Sequence, residues 1–274
     1  MKGATAFVLG GGGLLGAVEV GMLQALLEQG IVPDLVIGSS VGALNGVAVA
    51  AEPSVAAVDR LKQTWSQLQA RDIFSSSVVG QITNVVRHGT YLHGNDGLRR
   101  VIEAQTRGAR IEDLAVRFQC VAASVEHACA HWFAEGPVVD AVLASCAVPG
   151  LLPSVRIGDQ HFFDGGLVRS VPVGRAVELG ATTVFVLHVG RIERPLQAPR
   201  RPWDVALVAF EIARRHQLSD DLARIPDGVT VHILPTGNDP SPVLAVRHRR
   251  VQEVGHRIDT AYQATAAYLD RHAS

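Results

Sequence analysis

A short apolar run that ends on a glycine-flanked serine and passes straight into a small-residue helix leaves a chain few folds to adopt. Here that stretch is Leu35-Val36-Ile37-Gly38-Ser39-Ser40-Val41-Gly42-Ala43. In a GxSxG turn the serine sits at a sharp corner between a buried strand and a helix, and side chains at the flanking positions would clash there. Gly38, Ser40 and Gly42 fill those places. The spacing predicts a nucleophile elbow, with the hydroxyl exposed at the carboxyl end of the strand. The first N–H groups of the following helix then favour developing negative charge beside it. The same residues would also serve as a plain glycine-serine connection, so partners have to be sought elsewhere in the chain.

An earlier unit has the same form. Residues 4–9 are a compact apolar run, long enough for a buried first strand and too short for a helix. The run ends in Gly10-Gly11-Gly12-Gly13-Leu14-Leu15-Gly16, and residues 17–29 follow with helical spacing and a stop at Gly30. Beyond the elbow, the pattern predicts a helix from Pro53 to about Gln69 with Leu61, Trp65 and Leu68 as its apolar stripe. Residues 71–94 read as a lid or as a long connection with one helix near 80–87. Asn95 is a plausible N-cap for a helix reaching about Thr106.

Strands are predicted at 118–124, 131–134, 183–187 and 229–234, and helices at 138–145, 172–179, 203–224 and 246–269. A proline-rich apolar turn at 147–153 bends the chain toward Phe162-Phe163-Asp164-Gly165-Gly166. Strands alternate with helices nearly throughout, which predicts a three-layer α/β/α fold around a mainly parallel central sheet. At 274 residues, with 47% hydrophobic and 19% charged, the chain has the material for one such domain over residues 1–274.

A formal net charge of -1 supplies no global basic field, which argues against a nucleic-acid partner. Cys120, Cys129 and Cys146 are an odd set without zinc-ribbon spacing, as expected of free thiols in a reducing compartment. The start of the chain lacks the long apolar core of a signal peptide, and no run reaches membrane-spanning length. A cytoplasmic protein is therefore the expectation. His127, Cys129 and His131 alternate along one stretch and raise a metal site, but no fourth ligand is evident and the reading adopted is no metal.

Two chemistries compete for the glycine loop. Gly11, Gly13 and Gly16 match GxGxxG between a strand and a helix, the fingerprint of a Rossmann-like dinucleotide-binding protein without hydrolase activity. That fingerprint also wants an acidic residue at the end of the second strand. Asp34 comes before that strand, and the strand ends instead in the GxSxG turn. Under the other reading the loop is an oxyanion hole, whose unhindered backbone N–H groups point at a tetrahedral oxyanion.

In order and context, the three motifs resemble those of the patatin-like phospholipases, serine lipid acyl hydrolases with an α/β/α fold and a Ser-Asp dyad. The family's GGGx(R/K)G loop corresponds to Gly11-Gly12-Gly13-Leu14-Leu15-Gly16, its GxSxG to residues 38–42 and its DG(G/A) to Asp164-Gly165-Gly166. Ala144-Ser145-Cys146-Ala147-Val148-Pro149 also resembles the family's connection ahead of the aspartate. The resemblance spans about residues 7–173, and Leu15 departs from it where the family has a basic residue. That departure bears on headgroup preference more than on catalysis.

The resemblance implies Ser40 as nucleophile, Asp164 as general base, an oxyanion hole from Gly11, Gly12 and Gly13, and no cofactor. It also implies a lipid or lysolipid ester as substrate, through phospholipase A, lysophospholipase or esterase activity. An ordinary aspartate is a weak base for serine, so the site has to raise its basicity by desolvation. A Ser-His-Asp esterase is the nearest rival, because Ser40, Asp164 and His188 occur in that order. With eleven histidines in the chain, one in sequence carries little weight. Transient membrane contact is expected of a lipid hydrolase. Arg191, Arg194, Arg200, Arg201, Arg214 and Arg215, or Arg247, Arg249 and Arg250, are candidates for meeting anionic headgroups. Oligomeric state leaves no mark in the sequence.

Overall fold

The computed structural model describes residues 3–70, 94–189, 195–199, 202–237 and 251–272. Its centre is β1 (Ala4–Leu9), flanked on both sides by parallel strands, β2 (Leu35–Ser39) and β7 (Ala181–Leu187). Alternate side chains of a strand point to opposite faces. Phe7 and Leu9 therefore enter one apolar layer, while Ala6 and Val8 enter the other. The first layer holds α1 (Ala17–Glu28), α2 (Val41–Ala51), α3 (Val55–Ala70) and α8 (Val251–His272). The second holds α6 (Val173–Glu178) and α7 (Pro202–Ala223), through Val173, Ala176 and Leu218. Helices on both faces of the sheet give the three layers expected from the alternating pattern.

The strand order β3-β2-β1-β7-β8 is parallel throughout, with β3 at Arg117–Ser124 and β8 at Thr230–Ile233. The chain leaves β1 for β2 on one side and returns to β7 on the other. The crevice at the carboxyl ends of these strands is thus a topological switch point, where open α/β sheets bind ligands. The glycine loop after β1 and the turn after β2 both open there.

The rest of the sheet is antiparallel, within the mainly parallel expectation, and it positions the site. β3 outruns β2, whose last residue, Ser39, lies opposite Val121. β4 (Cys129–Phe133) takes the far edge of β3, from Cys120 opposite Phe133 to Ser124 opposite Cys129. The remainder of the near edge is taken by β6 (Gln160–Asp164), which runs antiparallel and arrives with Asp164 opposite Ala122. β5 (Val155–Ile157) pairs with β6 as a hairpin. Strands β2 and β6 therefore meet end to end along one edge of β3, at the adjacent residues Val121 and Ala122.

Two more helices cover this end of the sheet, α4 (Asp96–Thr106) and α5 (Val138–Ser145). Asn95 does precede α4 as its N-cap, but its side chain makes no capping bond. All but one residue of the expected 71–94 lid or connection lies outside the described residues. Among the described residues, no helix is long and apolar enough to cross a membrane.

Candidate active site

Ser40 links β2 to α2 with φ 54° and ψ -127°. A non-glycine residue held there stores roughly 1–3 kcal/mol of strain, which the surroundings must over-determine. They do so by close packing. A Cβ at Gly42 would overlap the carbonyl of Leu9, and one at Gly38 would overlap the backbone of Ala43. Only glycine lets the turn pass this close to β1 and to its own helix.

Both backbone polar groups of Ser40 are also held by the end of α5. Its N–H donates to Ser145 Oγ at 2.9 Å, and the Cys146 thiol donates to its carbonyl at 3.1 Å. Burial, and after it the nearby Asp164 charge, raise the Cys146 pKa, so the thiol keeps the proton it donates. Ala43 and Leu44 complete the set with backbone N–H bonds to the Ser40 carbonyl.

The Ser40 hydroxyl donates to Asp164 Oδ2 at 2.6 Å. Asp164 closes β6 and is 3% exposed, and its other oxygen, Oδ1, accepts from the Gly166 N–H at 2.7 Å. Its own N–H donates to the Ala147 carbonyl, which ties the proline-rich turn to the end of β6. Gly165 begins a 3-10 turn and accepts from the N–H groups of Val168 and Arg169. Burial pushes the Asp164 carboxyl up to about 6, although the bonds from Ser40 and Gly166 pull it the other way. Desolvation wins, and it is the effect that makes a carboxylate a better base.

The glycine loop lies against the serine. A Cβ at Gly11 would sit 3.3 Å from the Cβ of Ser40. Gly10 N–H donates to the Leu187 carbonyl and Gly11 N–H to the Ser170 carbonyl, which pin the start of the loop to the sheet. Gly11 thus departs from the expected donor set, since its amide is already engaged, whereas Gly12 and Gly13 are exposed at the crevice. Gly16 ends a 3-10 turn, and its carbonyl accepts from Asn45 Nδ2 at 2.9 Å.

The rival readings find less. Asp34 accepts from the Thr5 N–H at 2.8 Å, at the opposite end of β1 from the loop, and the end of β2 carries Ser40 instead of an acid. His188 is buried just beyond β7, while Ser40 bonds Asp164 directly with no imidazole between them. His131 packs its ring against Phe133 and Phe162 in an aromatic cluster. Arg214 is not a surface cation; it is buried, with Glu211 accepting at 2.6 Å and the Val189 carbonyl at 3.1 Å. Arg191, Arg194, Arg200, Arg201, Arg247, Arg249 and Arg250 lie outside the described residues.

The sequence assigns Ser145, Ser170 and Asn45 no role at the site, and Cys146 only that of a free thiol. Ser145 and Cys146 stood within the segment flagged ahead of Asp164, but nothing local marks a serine at a helix end as the acceptor for a residue 105 positions away.

A family model described as "Patatin-like phospholipase" matches residues 7–177. "Patatin-like phospholipase domain-containing protein 7" of Rattus norvegicus is 30% identical over 189 residues, which cover 68% of this chain and 14% of that protein. "Lysophospholipase nte1" of Emericella nidulans is 31% identical over 199 residues, covering 69% of this chain and 12% of that protein. The chain thus spans about one seventh or less of the length of these curated relatives. Among solved structures, VipD from Legionella pneumophila superposes with a TM-score of 0.51 at 14% identity, covering 99% of this chain and 67% of VipD, a likeness of fold. The matched span begins in β1 and takes in the glycine loop, the elbow and the Asp164 turn: the chain belongs to the patatin-like phospholipase family.

Proposed function

We propose that the protein is a serine lipid acyl hydrolase, of phospholipase A or lysophospholipase type, working through a Ser40–Asp164 dyad. The observation that carries this reading is the 2.6 Å bond from a serine in a strained elbow to a buried carboxylate of raised basicity. The whole 1–274 chain acts as the catalytic unit, without metal or nucleotide.

In the reaction, Ser40 Oγ attacks the ester carbonyl carbon as its proton passes to Asp164 Oδ2. The carbonyl π pair moves onto oxygen, and the N–H groups of Gly12 and Gly13 receive that oxyanion; one such donor is worth about 3 kcal/mol of barrier. Gly11 serves by anchoring the loop through Ser170. The tetrahedral species then collapses, the C–O bond to the alcohol breaks, and Asp164 returns the proton to the leaving oxygen. Water attacks the acyl-serine with Asp164 again as base, releasing the fatty acid and restoring Ser40.

Lipid substrates reside at an interface, and two apolar side chains stand out beside the site. Leu151 projects from the turn bonded to Asp164, and Leu167 from the turn that follows it, each 42% exposed. Together they make the surface proposed to touch lipid, in a transient, peripheral attachment. The names of the relatives, a phospholipase domain protein and a lysophospholipase, support a lysolipid or phospholipid ester as substrate.

Covalent labelling with a fluorophosphonate, mapped by peptide mass spectrometry, tests the dyad. Labelling falls on Ser40, disappears in Ser40→Ala and collapses in Asp164→Asn. Failure of the folded wild-type protein to label, or labelling at another residue, would overturn the proposal.

A further inference from the structure

Glu19 is an acid in the first turn of a helix whose other polar side chains, Gln24 and Glu28, lie nearer its far end. Ten of the twelve residues of α1 are buried, and Glu19 is among them at 0% exposure. Such a carboxyl is costly to place and needs partners. Its Oε2 accepts from Asn45 Nδ2 at 2.8 Å. The same Asn45 nitrogen donates to the Gly16 carbonyl at 2.9 Å, and Asn45 Oδ1 accepts from Trp65 Nε1 at 2.9 Å. The four residues come from four elements: the end of the glycine loop, the helix after that loop, the helix after Ser40, and α3.

We propose that Glu19 is a positioning residue for the oxyanion loop, joining the helix behind that loop to the helix behind Ser40 through Asn45. The inference rests on the hydrolase reading of the site. The distance from the Gly12 and Gly13 amides to Ser40 Oγ is a distance between the starts of α1 and α2, and the Glu19–Asn45 bond spans those two helices one turn below the reacting groups. Gly16 is the hinge at which the loop becomes α1, and its carbonyl shares the same Asn45 amide.

Burial favours the protonated form of the carboxyl. No charged group of the described elements faces it. Helix α2, which has no titratable residue, presents Asn45 and α3 presents Trp65 through it, and the titratable residues of α3 and α8 lie elsewhere. Lys62 pairs with Asp59 on α3, while Tyr262 and Asp270 of α8 bond Glu28 and Gln29 at the far end of α1. Burial therefore raises the Glu19 pKa well above the ordinary carboxylate range, more than the Asn45 side chain and the Gly10 backbone lower it. A neutral acid is isosteric with glutamine, whose Oε1 can take the place of the Asn45 acceptor.

The test compares Glu19→Gln, Glu19→Leu and Trp65→Phe by hydrolysis of a soluble short-chain ester and by melting temperature at pH 5 and pH 8. Glu19→Leu leaves the buried Asn45 amide short of an acceptor and lowers kcat about 10- to 100-fold with KM within about twofold. Glu19→Gln rescues kcat to within about twofold of wild type. Trp65→Phe keeps an aromatic side chain but removes the indole N–H together with the pyrrole part of the ring, and lowers kcat about 2- to 10-fold, which keeps the proposal testable if Glu19→Leu does not fold. The raised pKa means that wild-type stability is lost as pH rises through it, so Glu19→Gln melts higher than wild type at pH 8 and gains less at pH 5.

A folded Glu19→Gln protein with kcat reduced tenfold or more would overturn the proposal by showing that a charge is required. A Glu19→Leu or Trp65→Phe protein with wild-type kcat would overturn the positioning role. Wild-type protein without turnover on any ester would sink the hydrolase reading instead. The melting comparison would then still decide whether Glu19 is held as a neutral acid, and no gain for Glu19→Gln at pH 8 would overturn it.

Discussion

Ser40 and Asp164 are 124 residues apart in the chain and 2.6 Å apart at their hydroxyl and carboxylate oxygens. The closeness follows from strand register. Ser39 ends β2 opposite Val121, and Asp164 ends β6 opposite Ala122, on the same edge of β3. Two strands approaching head to head deliver both groups to one point, and neither depends on a flexible loop for its position.

Under the proposed dyad, turnover has an acid limb set by Asp164. The base must be ionised, and burial places its pKa at about 6. We expect kcat/KM on a soluble ester to rise with pH through about 6 and to level off above it. A profile that rises through 7 or higher would instead implicate an imidazole such as His188, and His188→Ala is the companion variant that retains activity under the dyad.

Asp164→Asn loses turnover and gains stability. A carboxyl whose folded pKa lies above its unfolded value costs nothing while both forms are protonated, and the cost grows as pH rises through the folded pKa. For a rise from 3.8 to about 6 it reaches roughly 3 kcal/mol at neutral pH. Asparagine carries no such cost. Melting curves at pH 4 and pH 8 check the sign: the variant matches wild type at pH 4 and melts higher at pH 8.

Ser145→Ala separates placement of the nucleophile from its chemistry. The variant leaves the buried Ser40 N–H without its acceptor, at a cost of about 1–3 kcal/mol, in a residue already at positive φ. We expect kcat to fall about tenfold or more while the Asp164 acid limb stays near 6. Steady-state kinetics across pH reads both quantities in one experiment.

Gly42→Ala probes the elbow's packing. The added methyl meets the Leu9 carbonyl, a backbone atom inside the sheet that has little room to shift. Overpacking of this kind costs about 1–3 kcal/mol. Denaturant titration shows a lower midpoint, and activity falls with it because the shift is borne by Ser40 itself.

Leu151→Ser with Leu167→Ser discriminates interfacial from soluble substrate. The two side chains are exposed beside the site and contact neither Ser40 nor Asp164 by any hydrogen bond. Hydrolysis of vesicle phospholipid falls several-fold, while hydrolysis of a water-soluble ester stays within about twofold. Equal losses on both would remove these residues from the lipid-contact surface.

Much of this is legible in the sequence. The period of apolar residues marked β1, β2 and β7 as buried strands, and their alternation with helices implied layers. Glycines at 38 and 42 around Ser40, and the loop at residues 10–16, marked the two turns, because such close approaches leave a residue-type signature in adjacent positions. Glu19 stands in the sequence beside Gln24 and Glu28 as one more polar residue of its helix, and nothing local marks it as the buried one. Other features had no local signature. Gly11 matched the loop motif as well as Gly12 and Gly13 did, yet its amide is taken by Ser170, a residue 159 positions later in the sequence. Arg214 sat in a run of cations and turned inward to Glu211.

Sequence alone pointed to Ser40, Asp164 and the glycine loop as candidates for the chemistry and to most of the strands, turns and helices, since these depend on backbone sterics and side-chain periodicity within a few positions. The tertiary structure decided that β6 runs antiparallel into the gap beyond β2, that Ser145 and Cys146 grip the Ser40 backbone, and that burial raises Asp164 to about 6. Pairing register, desolvation and long-range hydrogen bonds belong to groups brought together by folding, and no short stretch of the chain contains them.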